Sequence, residues 1–147
     1  MHLEGTVEIA APRQRVWDFL TDPQAVARCA PGLESIEVVE AGRRFKAVAS
    51  LGLGSIKSRF TVDVEWVEMS PPERAVARAH GTASGSAADV LAEMLLTEPA
   101  PGSTSLHWTA EVTITGTIAS LASRMMGGVT QKLSGQFFEC VRASVEG

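Results

Sequence analysis

Tyrosine is absent from the 147 residues, and aromatic side chains make up only 5% of them. A phenolic acid is therefore missing from the groups that could move a proton. Cysteine occurs twice, as Cys29 and Cys140. Two distant cysteines form neither a disulfide framework nor a zinc-ligand spacing. Reduced, partly buried thiols in a cytoplasmic protein are the expected state, with a Cys29–Cys140 bridge as the alternative. Cations are outnumbered, 13 Lys and Arg against 17 Asp and Glu, for a net charge of −4. That balance lacks the electrostatic footprint of a nucleic-acid binder and shows no basic stripe for anionic lipid. No run approaches the ~20 apolar residues of a membrane-spanning helix, since the most apolar late stretch is broken by Arg124 and Gly127-Gly128. Met1-His2-Leu3-Glu4-Gly5 has neither the basic region nor the apolar run of a secretory signal. A soluble chain without an integral membrane segment is expected.

What is present is ordinary globular material, 45% hydrophobic and 20% charged. The length suits one domain over residues 1–147. Such a domain buries roughly 68–70% of its unfolded surface and needs no covalent staple. There is no repeat or linker. Pro71-Pro72 and Pro99-Ala100-Pro101-Gly102 read as turns.

From His2 to Ala10, Leu3, Gly5, Val7 and Ile9 alternate with polar neighbours, the pattern of a half-buried strand. Pro12 opens a helix with Val16, Trp17 and Leu20 at helical spacing. Asp22 is read as ending it, and Pro23 as opening a second short helix that contains Val26 and Cys29 and stops at Pro31-Gly32. Strands are expected over 35–41, 43–50, 56–66, 74–83, 87–97 and 103–115, with a turn at Gly52 and Gly54. Short polar connections make them an antiparallel meander. Thr117 is the expected N-cap of a long amphipathic helix in which Ile118, Leu121, Ala122, Met125, Met126, Val129, Leu133, Phe137, Val141 and Val145 recur at helical spacing. A half-apolar sheet and one long apolar helix must cover each other.

The inward parity of the middle strands is small: Phe45, Ala47 and Ala49, then Ala75, Ala77, Ala79, Gly81 and Ala83, then Ala88, Val90, Ala92, Met94 and Leu96. Small side chains on a concave sheet either draw the helix close or leave a void suited to an apolar ligand. Met94, Met125, Met126, Phe137 and Trp108 could equally fill the gap, and the residues alone leave both open. Gly127-Gly128 reads either as a tolerated kink or as a hinge or close backbone approach at the mouth of a void.

No catalytic constellation is visible. His2, His80 and His107 fall at outward strand parity, none with a partner at metal-ligand spacing. No glycine-rich phosphate loop joins a strand to a helix. Cys29 has no histidine near it in sequence. Arg78 belongs to a solvated strand face, and would become a polar anchor only if the parity shifted by one residue. No catalytic residue, metal ligand or cofactor is therefore expected.

Glu8-Ile9-Ala10-Ala11-Pro12 through Val16-Trp17-Asp18-Phe19-Leu20, then Asp22-Pro23 and Cys29-Ala30-Pro31-Gly32-Leu33, resemble the opening of the G-subunit proteins of carbon monoxide dehydrogenase. Gly52-Leu53-Gly54-Ser55-Ile56 and the passage from Val112 to Ala119 into the last helix match as well, so the resemblance spans essentially the whole chain. These proteins belong to the START-like, polyketide-cyclase-like (SRPBCC) superfamily. The resemblance implies an α+β helix-grip fold, as in the birch-pollen allergen: a curved antiparallel sheet of about six or seven strands around a long C-terminal helix, with two short helices after the first strand. It also implies a hydrophobic cavity, and so favours the void over the filled core. Further, it implies association with a carbon monoxide dehydrogenase-type molybdenum hydroxylase, either recruiting that enzyme to the inner face of the membrane or handling a quinone-like acceptor. Longer members reach the membrane through a C-terminal extension, which a chain ending at Gly147 is not expected to do. The expected lining of the cavity is Phe45, Ala47, Phe60, Ala77, Met94, Trp108, Met125, Met126 and Val129, with Cys29, Pro31 and Gly32 at its entrance. A lipid- or quinone-binding module is the leading expectation. An accessory protein of the enzyme without a ligand comes next, and a cyclase- or hydrolase-like enzyme last.

Overall fold

Strict alternation makes His2–Ile9 a strand, β1, whose odd-numbered side chains turn inward and whose even-numbered ones stay in water. The computed structural model describes residues 1–53 and 56–146. Two short helices follow, α1 (Arg13–Leu20) and α2 (Pro23–Cys29). Asp22 does not end the first helix, as its place before proline suggested. Its carboxylate accepts the backbone N–H groups of Gln24 and Ala25, so it is the N-cap of α2, with Pro23 at the first helical position.

Six strands come next: β2 (Leu33–Glu40), β3 (Arg44–Leu53), β4 (Ile56–Ser70), β5 (Arg74–Ala83), β6 (Ser86–Ala100) and β7 (Ser103–Gly116). The helix α3 (Ala119–Val145) closes the chain. Several strands outrun the expected limits. β4 reaches Ser70 because a bulge between Trp66 and Glu68 resets its alternation, and β6 carries Pro99 past the irregularity after Thr97. Gly52 is not a turn residue but pairs with Lys57 inside the β3–β4 ladder, whereas Gly54 lies outside the described residues. Thr117 does not cap α3 through its side chain. The N-cap is Ile118, whose N–H is donated to Ser86 Oγ at 3.3 Å, while the Thr117 N–H and hydroxyl both go to the Gly85 carbonyl. The β5–β6 turn thus holds the start of the helix.

The seven strands form one curved antiparallel sheet in the order β1-β7-β6-β5-β4-β3-β2. Everything from β2 to β7 is a meander of nearest neighbours, and β1 returns to pair with β7. The backbone of α3 comes near β1, β7 and β3, toward the two ends of the arc, and spans the strands between. The buried core accordingly falls into two clusters. At one end Val141 and Val145 pack with Ile9, Val16, Trp17, Leu20, Leu96 and Leu106. At the other, Ala122 and Met126 pack with Phe60 and Ile118. Polar contacts pin the last turns of α3: Arg142 Nε donates to the Glu8 carbonyl at 3.0 Å, and Glu146 accepts the Ala10 N–H at 2.8 Å.

The cysteines are a correction. Cys29 at the end of α2 and Cys140 in α3 are joined by a disulfide across a Cα–Cα distance of 5.4 Å. Their separation of 111 residues gave no sign of this. α2 is laid along α3 by packing that only the fold supplies.

Candidate functional site

Beside each core cluster the helix and sheet leave a space between them. Under the first half of α3 lies a hollow of about 360 Å³. Its floor consists of cross-strand rows. One runs Val62, Gly81, Ala88, Ile114, and the next contains Ala79, Val90 and Val112. Its roof is Met126, Val129 and Leu133 of α3 with the N-cap Ile118, and Phe60, Leu51 and Pro31 stand at the side. Among its lining residues only Ser50 and Thr130 have polar side chains. The floor is low because glycine and alanine occupy it, and a straight helix cannot descend into a curved sheet. The volume lies within the ordinary range for small-molecule sites.

A second hollow of about 220 Å³ lies under the other half of the helix. Trp66, Ala75, Ala77, Ala92, Met94, Leu106, Trp108, Phe137 and Phe138 line most of it. Trp108 stands at its edge, tight against β1: a Cβ at Gly5 would lie 2.8 Å from the indole Nε1, so only glycine lets the ring lie there.

The expected lining residues are thereby sorted into separate places. Phe60, Met126 and Val129 border the larger hollow, and Ala77, Met94 and Trp108 the smaller. Met125 lies on an open groove beside α3, and Phe45 and Ala47 are buried in the sheet outside the linings of both hollows. Ala79, Gly81, Ala88 and Val90 join the floor without being among the expected lining. Their inward parity is visible in the sequence, but the strand register that sets them under α3 is not.

At the side toward β3, Pro31 borders both the larger hollow and the groove, and Gly32 borders the groove. The Gly32 carbonyl accepts the Ser50 N–H at 2.8 Å, which fastens this segment to β3. Cys29 is not at this opening. It is 6% exposed, disulfide-bonded and part of the core beside Val141. Gly127 and Gly128 are exposed, lie within a continuous helix, and would meet nothing within 4 Å if given a Cβ. They therefore make no close backbone approach.

Among the described residues the larger hollow has no charged lining residue, and Glu93 is the one charged residue bordering the smaller. His2 bonds Glu4 at 2.8 Å and also Glu111, and these two carboxylates raise its pKa above the ordinary histidine value. His80 meets Asp89 at 2.6 Å, and His107 meets the Thr6 hydroxyl at 2.9 Å. Arg78 is exposed. Glu34 accepts the Ser50 hydroxyl at 2.6 Å, which with Arg59 holds its pKa below the usual carboxylate value. Among the described residues no group of three or more His, Cys, Asp or Glu could hold a metal ion, and no buried side-chain polar atom lacks a partner.

Residues 5–146 match the family model of the carbon monoxide dehydrogenase G subunit (CoxG). The chain belongs to the CoxG family. No curated protein matches it. Among solved structures, this CoxG-family chain is similar to a conserved protein from Geobacillus kaustophilus, with a TM-score of 0.91 and 23% identity, over 99% of this chain and 95% of that one. It is also similar to the Zhui aromatase/cyclase from Streptomyces, with a TM-score of 0.77 and 20% identity, over 99% and 93%. A START superfamily protein from Mycobacterium smegmatis gives a TM-score of 0.76 and 12% identity, over 99% and 97%. At such identities these likenesses establish the fold, which is START-like. No helix among the described residues is long and apolar enough to cross a membrane.

Proposed function

We propose that this CoxG-family chain is a single START-like unit that carries an apolar or amphipathic small molecule of lipid or quinone type. It serves a carbon monoxide dehydrogenase-type molybdenum hydroxylase. The observation that carries this reading is the larger hollow, with its floor of Ala79, Gly81, Ala88 and Val90 and its roof of Met126, Val129 and Leu133. A wall with two polar side chains offers a ligand almost nothing except removal from water, at about 25 cal/mol per Å² of apolar surface. Affinity then follows tail length more than head-group chemistry. Family membership alone would equally suit an accessory protein without a ligand, and the hollow is what favours the carrier. Pro31 and Gly32 form the entrance in this reading. The smaller hollow beside Trp108 receives the far end of a longer ligand.

The test is native mass spectrometry of the purified protein, followed by uptake from a panel of quinones and fatty acids. A bound species in the hundreds of daltons, or saturable uptake, is expected. A clean apo mass with no uptake across the panel overturns the carrier reading. Co-purification with a molybdenum hydroxylase despite that result would establish the ligand-free accessory protein in its place.

A further inference from the structure

β1 is an edge strand, and α3 covers its free edge at one end only. The Met1 amine donates to the Val112 carbonyl of β7, and the Met1 carbonyl accepts the Val112 N–H, both at 2.8 Å. Main-chain groups alternate in direction along an antiparallel strand. The odd-numbered residues of β1 therefore bond β7, and the even-numbered ones turn outward. At the far end α3 meets these outward groups, through Arg142 at the Glu8 carbonyl and Glu146 at the Ala10 N–H. At Glu4 and Thr6 it does not. Among the described residues nothing bonds the outward main-chain N–H and C=O of either. In front of them a groove of about 440 Å³ separates β1 from α3. Gly127 and Gly135 stand on its helix side, and a Cβ on either would meet nothing within 4 Å. Trp108 and Phe138 add aromatic surface to its lining. The charge around it is acidic: Glu4 and Glu139 line the groove, and Glu8 and Glu111 stand beside it on β1 and β7, against Arg142 and His2. Among the described residues Glu139 has no cation at ion-pair distance.

We infer that the groove between β1 and α3 binds an extended, lysine- or arginine-bearing segment of another protein, which joins the sheet beside β1. The open groups of Glu4 and Thr6 repeat at two residues, about 7 Å along the strand. A main chain in extended form presents the complementary donors and acceptors at that same repeat. A compact small molecule would reach one set and leave the other in water. A second copy of the chain does not fit. Its own β1 is already paired with β7, and that next strand would have to lie where α3 stands. The occupant is thus a lone segment, with the space beside Gly127 and Gly135 left for its side chains. The carboxylates around the groove select cations in it by charge complementarity. The inference stands apart from the carrier reading, because it uses the edge of β1 and not the hollows.

The experiment titrates the full chain with a peptide of about seven residues alternating Lys and Val, read by fluorescence anisotropy and by amide hydrogen exchange. Saturable binding below about 1 mM is expected, with none for the counterpart that carries Glu in place of Lys. The Glu4 and Thr6 amides are expected to exchange fast in the free protein and slowly in the complex, while those of Leu3, Gly5 and Val7 are slow in both. Methylating the peptide nitrogens at the Lys positions removes the donors along one edge, and methylating those at the Val positions removes them along the other. One pattern is expected to weaken binding about tenfold or more and the other to spare it. Gly135→Phe places a ring in the groove and is expected to abolish binding without lowering the melting temperature. Gly128→Phe, on the other flank of α3 and equally free of neighbours, should leave binding unchanged. No binding of the basic peptide, equal binding of the acidic one, or equal effects of the two methylation patterns overturns strand addition. Slow exchange of Glu4 and Thr6 in the free protein overturns the open edge itself. Binding that survives Gly135→Phe, or is lost equally in Gly128→Phe, overturns the placement in this groove.

Discussion

Gly32 and Ser50 are locked together backbone to backbone. The Ser50 N–H is donated to the Gly32 carbonyl at 2.8 Å, and a Cβ on Gly32 would fall 2.3 Å from the Ser50 carbonyl oxygen. Gly32 also has φ +79°, a region that side chains disfavour. Gly32→Ala is therefore expected to cost about 1–3 kcal/mol or to push the Pro31 segment off β3. A thermal melt reads the first outcome. A changed rate of ligand uptake reads the second, since Pro31 borders the larger hollow. A variant with unchanged melting and uptake would show that the contact is not maintained in solution.

The Cys29–Cys140 bridge closes a loop of 111 residues. Disulfides typically contribute about 2–4 kcal/mol, chiefly by restricting the unfolded chain, and loop entropy alone gives about 4.7 kcal/mol for a loop near 100 residues. Cys29→Ser with Cys140→Ser is expected to lower the denaturant midpoint, and the wild-type protein in reductant should match the variant. Two titratable thiols in unreduced wild type would rule the bridge out.

Filling the larger hollow should separate binding from folding. Ala79→Phe projects a ring from the floor toward Val129 and is expected to abolish ligand uptake, at a stability cost of about 1–3 kcal/mol. Ala77→Phe acts on the smaller hollow and should shorten the longest tail accepted without abolishing uptake. Equal effects from both would mean that the two spaces act as one. Uptake surviving Ala79→Phe would count against the assigned floor.

Asp22 supplies the only side-chain cap of α2. Asp22→Ala is expected to cost about 1 kcal/mol and Asp22→Asn a few tenths, both read from denaturant midpoints. Equal losses would indicate that the charge, not the hydrogen bond, is what matters.

His2 is exposed, and its hydrogen bonds to Glu4 and then Glu111 raise its pKa above 6.5. A raised histidine pKa contributes stability that is fully present below the unfolded value and lost as pH rises through the folded value. NMR titration should place the His2 midpoint above 6.5, and Glu4→Gln should move it down. A midpoint no higher than that of a free histidine would show that the cluster does not persist in water.

Most of the architecture was legible in the residues. Parity alone identified the inward rows of β5, β6 and β7, and helical spacing identified α3, because both patterns are local. Register was not legible. Ala77 and Ala79 look equivalent along β5, yet Ala77 faces the row of Ala92 and Ala79 the row of Val90, and these rows floor different hollows. The Cys29–Cys140 pairing and the role of Ser86 at the start of α3 depend on contacts between distant segments and leave no local trace.

The pairing of β1 with β7 bears on how the chain is made. His2 lies opposite Glu111 and Ile9 opposite Thr104, whereas β2 to β6 each pair with the strand that follows directly. At about 5–20 residues per second, β1 leaves the ribosome roughly 5–20 s before its partner does. During that interval a strand alternating Leu3, Val7 and Ile9 with glutamates has no neighbour. Glu4 and Glu8 then act as gatekeepers against premature pairing between nascent chains. β1 can therefore join the sheet only after β7 has been made, whereas the strands from β2 to β7 can pair as each hairpin is completed.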